Sequence, residues 1–144
     1  MAVVSGQPIL LSDVTAASEF ALVIVPRGTP DPTAYTLDRL IRRRLILAEV
    51  DRFQPPEPDP SEITVRVDAM EKRAGSPAAF EKALAVTGLT REQLRRYVRD
   101  NLRIETYLNE RFPERPDIDR AAAIDAWSGE LRKRTDVTVL YLGK

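Results

Sequence analysis

Residues 88–111, GLTREQLRRYVRDNLRIETYLNER, constrain the fold more than any other stretch of the chain. Thr90 can accept a hydrogen bond from the free backbone N–H groups at a helix start, and Gln93 three residues later completes a capping box. Leu94, Tyr97, Val98, Asn101, Leu102, Tyr107 and Leu108 then recur at helical spacing, and Pro113 stops the pattern. A helix of about twenty residues is roughly 30 Å long, the width of a small domain. Propensity alone does not hold such a helix in water, so several shorter elements must pack along its apolar face.

The remaining sequence supplies those elements. Residues 2–4 and 8–10 are short apolar runs around Ser5-Gly6-Gln7, the pattern of a hairpin with Pro8 on an edge or at a strand start. Ser12 is expected to cap a first helix with Asp13 in its first turn. Val14, Ala17, Ala21 and Ile24 form its inner stripe, Phe20 flanks it, and it ends near Val25 before Pro26. After a loop over 26–36, a second helix runs from Pro32 or Thr36 to Phe53. Leu37, Leu40, Ile41, Leu45 and Ala48 carry its repeat, and Ile46, Leu47 and Val50 widen it, so it is expected to be central. A proline-rich break over 54–60 precedes a third helix capped by Ser61, with Ile63, Val67 and Met70 inward and Gly75 at its end. Ser76-Pro77 opens a short fourth helix with Phe80, Leu84 and Val86 inward, closed by Gly88. Beyond the long helix, a linker over 112–117 leads to a sixth helix starting at Asp117 or Asp119, with Ile124, Trp127 and Leu131 inward. Residues 136–142, DVTVLYL, read as a strand. A lone short hairpin is marginal in water, so the last strand is expected to pair with the first ones. The fold class is therefore mainly α: about six helices with a small antiparallel sheet formed by the N-terminal hairpin and the C-terminal strand, in a single domain over 1–144.

Charge and residue usage exclude several functions. Lys plus Arg and Asp plus Glu both number 22, so the formal net charge is zero and gives no bulk grip on nucleic acid or an anionic membrane. No apolar run is long enough to span a bilayer, so stable membrane insertion is not expected. Histidine and cysteine are absent, which removes Ser–His–Asp and Cys–His catalysis, thiolate chemistry and the usual zinc ligands. Ser12, Ser61 and Ser76 read as caps, not nucleophiles. Two basic groups ask for a partner. The Arg42-Arg43-Arg44 triplet reads as a solvated face with acids nearby. Arg91, Arg95, Arg99 and Arg103, spaced four apart among Glu92, Asp100, Glu105 and Glu110, read the same way and not as a nucleic-acid row.

The order VVSGQPILLSDV, then LDRLIRRRLILAEVDRF, then PDPSEITVRVDAMEKRAGSPAAFEKALAVTGLTREQLRRYVRDNLRIETYL resembles the N-terminal domain of SurA-type periplasmic chaperones over residues 2–112. AAAIDAWSGELRKRTDVTVLYL, within the completing helix and strand over 117–142 of this chain, is similar to the segment that completes that domain after the family's parvulin-type prolyl isomerase domains. Here only 112–117 separates the two parts, so the resemblance implies a chaperone core without the isomerase domains and hence no enzyme. It implies a periplasmic location and binding of unfolded outer-membrane protein chains, with no cofactor. No signal peptide precedes the first strand, which reads as a mature form with an added start methionine or as a cytoplasmic protein. Aromatics off a plain inner stripe are the candidate peptide contacts: Phe20, Tyr35, Phe53, Tyr97 and Tyr107. The alternatives are a homo-oligomeric scaffold, with a homodimer or swapped elements across the flexible segments, and a component of a prolyl isomerase system.

Overall fold

The computed structural model describes residues 1–140. Two short strands, β1 (Ala2–Val4) and β2 (Gln7–Ile9), lead into α1 (Leu11–Glu19) and α2 (Pro32–Phe53). Then come α3 (Pro60–Arg73), α4 (Pro77–Thr87), α5 (Arg91–Arg111), α6 (Arg120–Arg134) and β3 (Val137–Val139). The sheet is antiparallel with order β2-β1-β3, so the two ends of the chain meet with β1 in the centre. Ala2 lies opposite Ile9 on one side and Val139 on the other, and Val4 opposite Gln7 and Val137. Side chains alternate across a strand, so Ala2, Val4 and Ile9 share the face that is buried on the helices. Pro8 sits in the middle of edge strand β2, where its missing N–H is harmless. The 136–142 strand is shorter than expected within the described residues, and Tyr141 and Leu142 lie outside them.

Two apolar clusters make the core. Ala2, Val4, Ile9, Val14, Leu37, Ile41 and Leu131 join the sheet to α1, α2 and α6. Phe20, Ile63, Val67, Phe80, Leu94 and Val98 join α3, α4 and α5. Leu22 packs against both. A smaller cluster of Ile46, Val50 and Tyr107 locks α2 to α5, and half-buried Trp127 bridges it to the first. As the sequence pattern suggested, α2 is central, touching the sheet, α1, α5 and α6.

The long helix starts where its capping box requires. Thr90 N–H donates to Gln93 Oε1 at 2.9 Å, and Gln93 N–H to Thr90 Oγ1 at 3.0 Å. Ser76 caps α4 by accepting from Ala79 N–H at 3.1 Å. The other serine caps are corrected. α3 is capped by Asp59, which accepts from both the N–H and the hydroxyl of Ser61. At α1 the cap position is Leu10, whose N–H donates to the Asp13 carboxylate, and Ser12 lies inside the first turn.

α1 also ends six residues before Val25. Ala21 adopts φ 50, Leu22 N–H reaches back to Ala17 C=O at 2.8 Å, and the chain turns out of the helix. Ile24 therefore does not extend the inner stripe and is 85% exposed. Ala48 is exposed on α2, and Val86, expected inward, is 64% exposed on α4, where Ala83 takes the buried position.

Both arginine groups are partly exposed and screened by acids, several of which come from other elements. In the triplet, Arg42 pairs with Asp125 of α6, Arg43 bonds α5, and Arg44 donates to Pro8 C=O of β2 at 3.1 Å. Along α5, Arg91 pairs with Glu81 of α4, Arg95 donates to Thr64 of α3, Arg99 pairs with Glu57 in the preceding loop, and Arg103 pairs with Asp51 of α2. Each row straps one helix to several neighbours.

Candidate functional site

Where α1 ends early, Leu22 and Val23 form one wall of a groove between α2 and α5. Leu22, Val23, Leu40, Ile46, Ile104 and Leu108 give it an apolar lining, and its volume is about 330 Å³. That is the low end of the range that takes a small ligand, or space for a pair of large side chains. A second cavity of about 130 Å³ continues it toward Ile9 and Ala17, sharing Leu22, Leu40, Arg43 and Tyr97.

Arg43 and Tyr97 divide the two spaces. The Arg43 guanidinium stacks 3.7 Å from the Tyr97 ring centre. Its Nε donates to Asn101 Oδ1 at 2.8 Å and its Nη2 to Tyr97 C=O at 3.3 Å. Burial lowers the Arg43 pKa, partly offset by the nearby Tyr97 and Asp100. Burial raises the Tyr97 pKa, so the phenol stays neutral at ordinary pH. One turn earlier on α2, Arg39 Nε donates to Tyr35 Oη at 3.3 Å, and its guanidinium lies 5.5 Å from that ring's centre. The arrangement offers apolar surface, a flat aromatic and fixed hydrogen-bond donors, which together suit non-covalent binding.

The five aromatic candidates fall in different places. Tyr97 lines the groove, and Tyr35 stands beside it as the support of Arg39. Phe20 is buried in the second core cluster, edge-on to Phe80 at 5.8 Å. Phe20 also lines a cavity of about 560 Å³ with Met70, Ala83 and Val86, whereas Tyr107 is buried in packing. Phe53 is 64% exposed and covers Tyr107 at 5.2 Å, at the end of an aromatic group that continues through Trp127 to Phe112. Within it the Tyr107 hydroxyl, and near it Arg103 Nε, are buried with no hydrogen-bond partner among the described residues.

Sequence reading missed Arg39, Leu22, Val23 and Ile104 as groove residues. For Arg39 a signal existed: Arg39 and Arg43 are four apart, and neither has an acid three or four positions away on α2. Leu22 and Val23 face the groove because of the α1 break, which has no local signature, and Ile104 does so from α5, outside the apolar repeat read there.

Among the described residues, no group of three or more carboxylates is placed to hold a metal ion, and no helix is long and apolar enough to cross a membrane. No family model matches the sequence, and no curated protein matches it.

Proposed function

We propose that this domain is a non-enzymatic, chaperone-like module that binds extended or unfolded polypeptide in the α2–α5 groove. The observation that carries the reading is the groove itself: six aliphatic side chains around an open channel with a stacked Arg–Tyr pair and an asparagine at its side. Aliphatic walls accept many side chains without demanding one shape, and the polar groups can bond a passing backbone. The resemblance to SurA-type chaperones extends the proposal to outer-membrane protein clients in the periplasm.

The test is suppression of aggregation when an unfolded porin is diluted from denaturant. The protein at stoichiometric excess is expected to suppress it, and Ile104→Asp, which puts a charge in the apolar lining, is expected to abolish the effect while leaving the helical circular dichroism unchanged. Equal aggregation with and without the wild-type protein would rule the reading out.

A second reading, a homodimer, is favoured by the β3 edge. Ser5 N–H bonds Asp136 C=O and Leu140 N–H bonds Met1 C=O, so residues 136, 138 and 140 turn their backbone groups toward β1. Val137 and Val139 thus turn theirs outward, on a strand with no proline and no charge between Asp136 and Leu140. A second copy fits in antiparallel register about Thr138, with Val137 of each chain bonding Val139 of the other. Light scattering at two concentrations tests it: a dimer lost in Val139→Pro supports this reading, and a monomer throughout removes it.

A further inference from the structure

The groove holds two arginines that form no ion pair among the described residues. Among the described residues, neither Arg39 nor Arg43 has a carboxylate within ion-pair distance. The nearby acids are already engaged: Asp125 with Arg42, Asp38 with Arg132, Glu105 with Arg66, Asp100 with Arg99 and Arg103, and Asp13 with the Leu10 N–H. Arg43 is held by neutral acceptors alone, Asn101 Oδ1, Tyr97 C=O and the Tyr97 ring. Arg39 uses only Nε, on a phenol oxygen, which leaves its terminal nitrogens without an acceptor among the described residues. A guanidinium drawn out of water without a counter-ion is costly, and Arg103, the one buried arginine among the described residues, has Asp51 at 2.9 Å. On successive turns of one helix, Arg39 and Arg43 project roughly 5–6 Å apart at their Cβ atoms. A single carboxylate can lie between them with aliphatic walls on both sides.

Resting on the polypeptide-binding reading above, we propose that the groove selects segments in which an aspartate or glutamate adjoins large apolar residues, with Arg39 and Arg43 receiving the carboxylate. Its two sides have separate tasks. Leu22, Val23, Ile104 and Leu108 hold the apolar neighbours of the acid. Arg39, partly exposed, draws the carboxylate in, and Arg43, fixed on Tyr97, gives it a rigid anchor. An internal side chain is the source of the charge, because the groove is open to solvent and does not close over a chain end.

The experiment is fluorescence anisotropy with labelled, acetylated and amidated peptides Ser-Leu-Phe-Asp-Phe-Ser and its Asn and Lys counterparts, and a neutral version with a free C-terminal carboxylate. The Asp peptide is expected to bind about fivefold more tightly than the Asn peptide, with the Lys peptide weakest. Arg39→Gln is expected to erase the Asp-over-Asn ratio and Arg39→Lys to keep most of it. Arg39 lies at the surface end of the pair, so neither change removes core packing. Equal binding of the Asp and Asn peptides overturns the carboxylate inference while sparing the groove. A ratio that survives Arg39→Gln, or a preference seen only for the free C-terminus, overturns it too. No binding by any peptide removes both this inference and the reading beneath it.

Discussion

Thr138→Pro probes whether the chain ends depend on each other. Thr138 lies opposite Val3, midway between the Ser5–Asp136 and Met1–Leu140 backbone bonds, so its N–H points at β1. Proline there deletes that donor and leaves the Val3 carbonyl on the central strand without its partner. A lost hydrogen bond with a stranded acceptor costs about 1–3 kcal/mol. For a domain of this length each kcal/mol moves the midpoint by about 3 °C, so the expected drop is about 3–9 °C. Val139→Pro is the matched control, because the Val139 N–H faces away from β1 and the side chain is 40% exposed. It is expected to cost less than about 1 kcal/mol. Both variants are melted by circular dichroism at a concentration where light scattering reports a monomer. Equal losses in the two, or a larger loss for Val139→Pro, would refute the register and with it the closure of the sheet.

Further outcomes follow from the packing. Leu94→Ala, at a fully buried position in the α3–α4–α5 cluster, is expected to cost about 2–5 kcal/mol in urea denaturation, whereas Ile24→Ala is expected to stay within about 0.5 kcal/mol. Thr90→Ala breaks the α5 capping box and is expected to cost about 1 kcal/mol by the same assay. The Glu57 carboxyl is held below its ordinary range, first by the Arg99 hydrogen bond, and that of Asp59 by the Ser61 backbone N–H. A depressed folded pKa gives stability that is present above the unfolded pKa and lost as pH falls through the folded one. Unfolding free energy is therefore expected to decline below about pH 4.5, and Arg99→Gln to flatten that decline. An unchanged slope in Arg99→Gln would exclude the pair as a source.

Much of the fold was legible because its signals are local. The Thr90–Gln93 box, Ser76-Pro77, Gly88 and the paired prolines after Phe53 fix helix ends through interactions within a few residues. The α1 end was not legible, since a left-handed alanine stops it where glycine would have announced the turn, and the Val14–Ala17–Ala21–Ile24 periodicity runs straight through. The serines misled for a similar reason: Asp59 and Leu10 occupy the cap positions just before Ser61 and Ser12. The arginine rows were legible only in part because several of their partners are distant in sequence, as with Arg43 and Asn101 or Arg99 and Glu57. Of the candidate contacts, Tyr97 reached the groove, while Phe20 and Tyr107 went into packing that depends on α4 and α6. No spacing rule separates an aromatic that lines a groove from one that fills a core when both lie on the same helical face.

The groove is most directly tested by where a client touches the protein. Because the chain has no cysteine, Ile104→Cys and Val65→Cys each provide one attachment point for a photo-crosslinker, the first in the groove and the second on the exposed face of α3. With an unfolded porin present, irradiation is expected to give a covalent adduct from the position-104 label and little from the position-65 label. Adducts of equal yield from both, or none from position 104, would contradict polypeptide binding between α2 and α5.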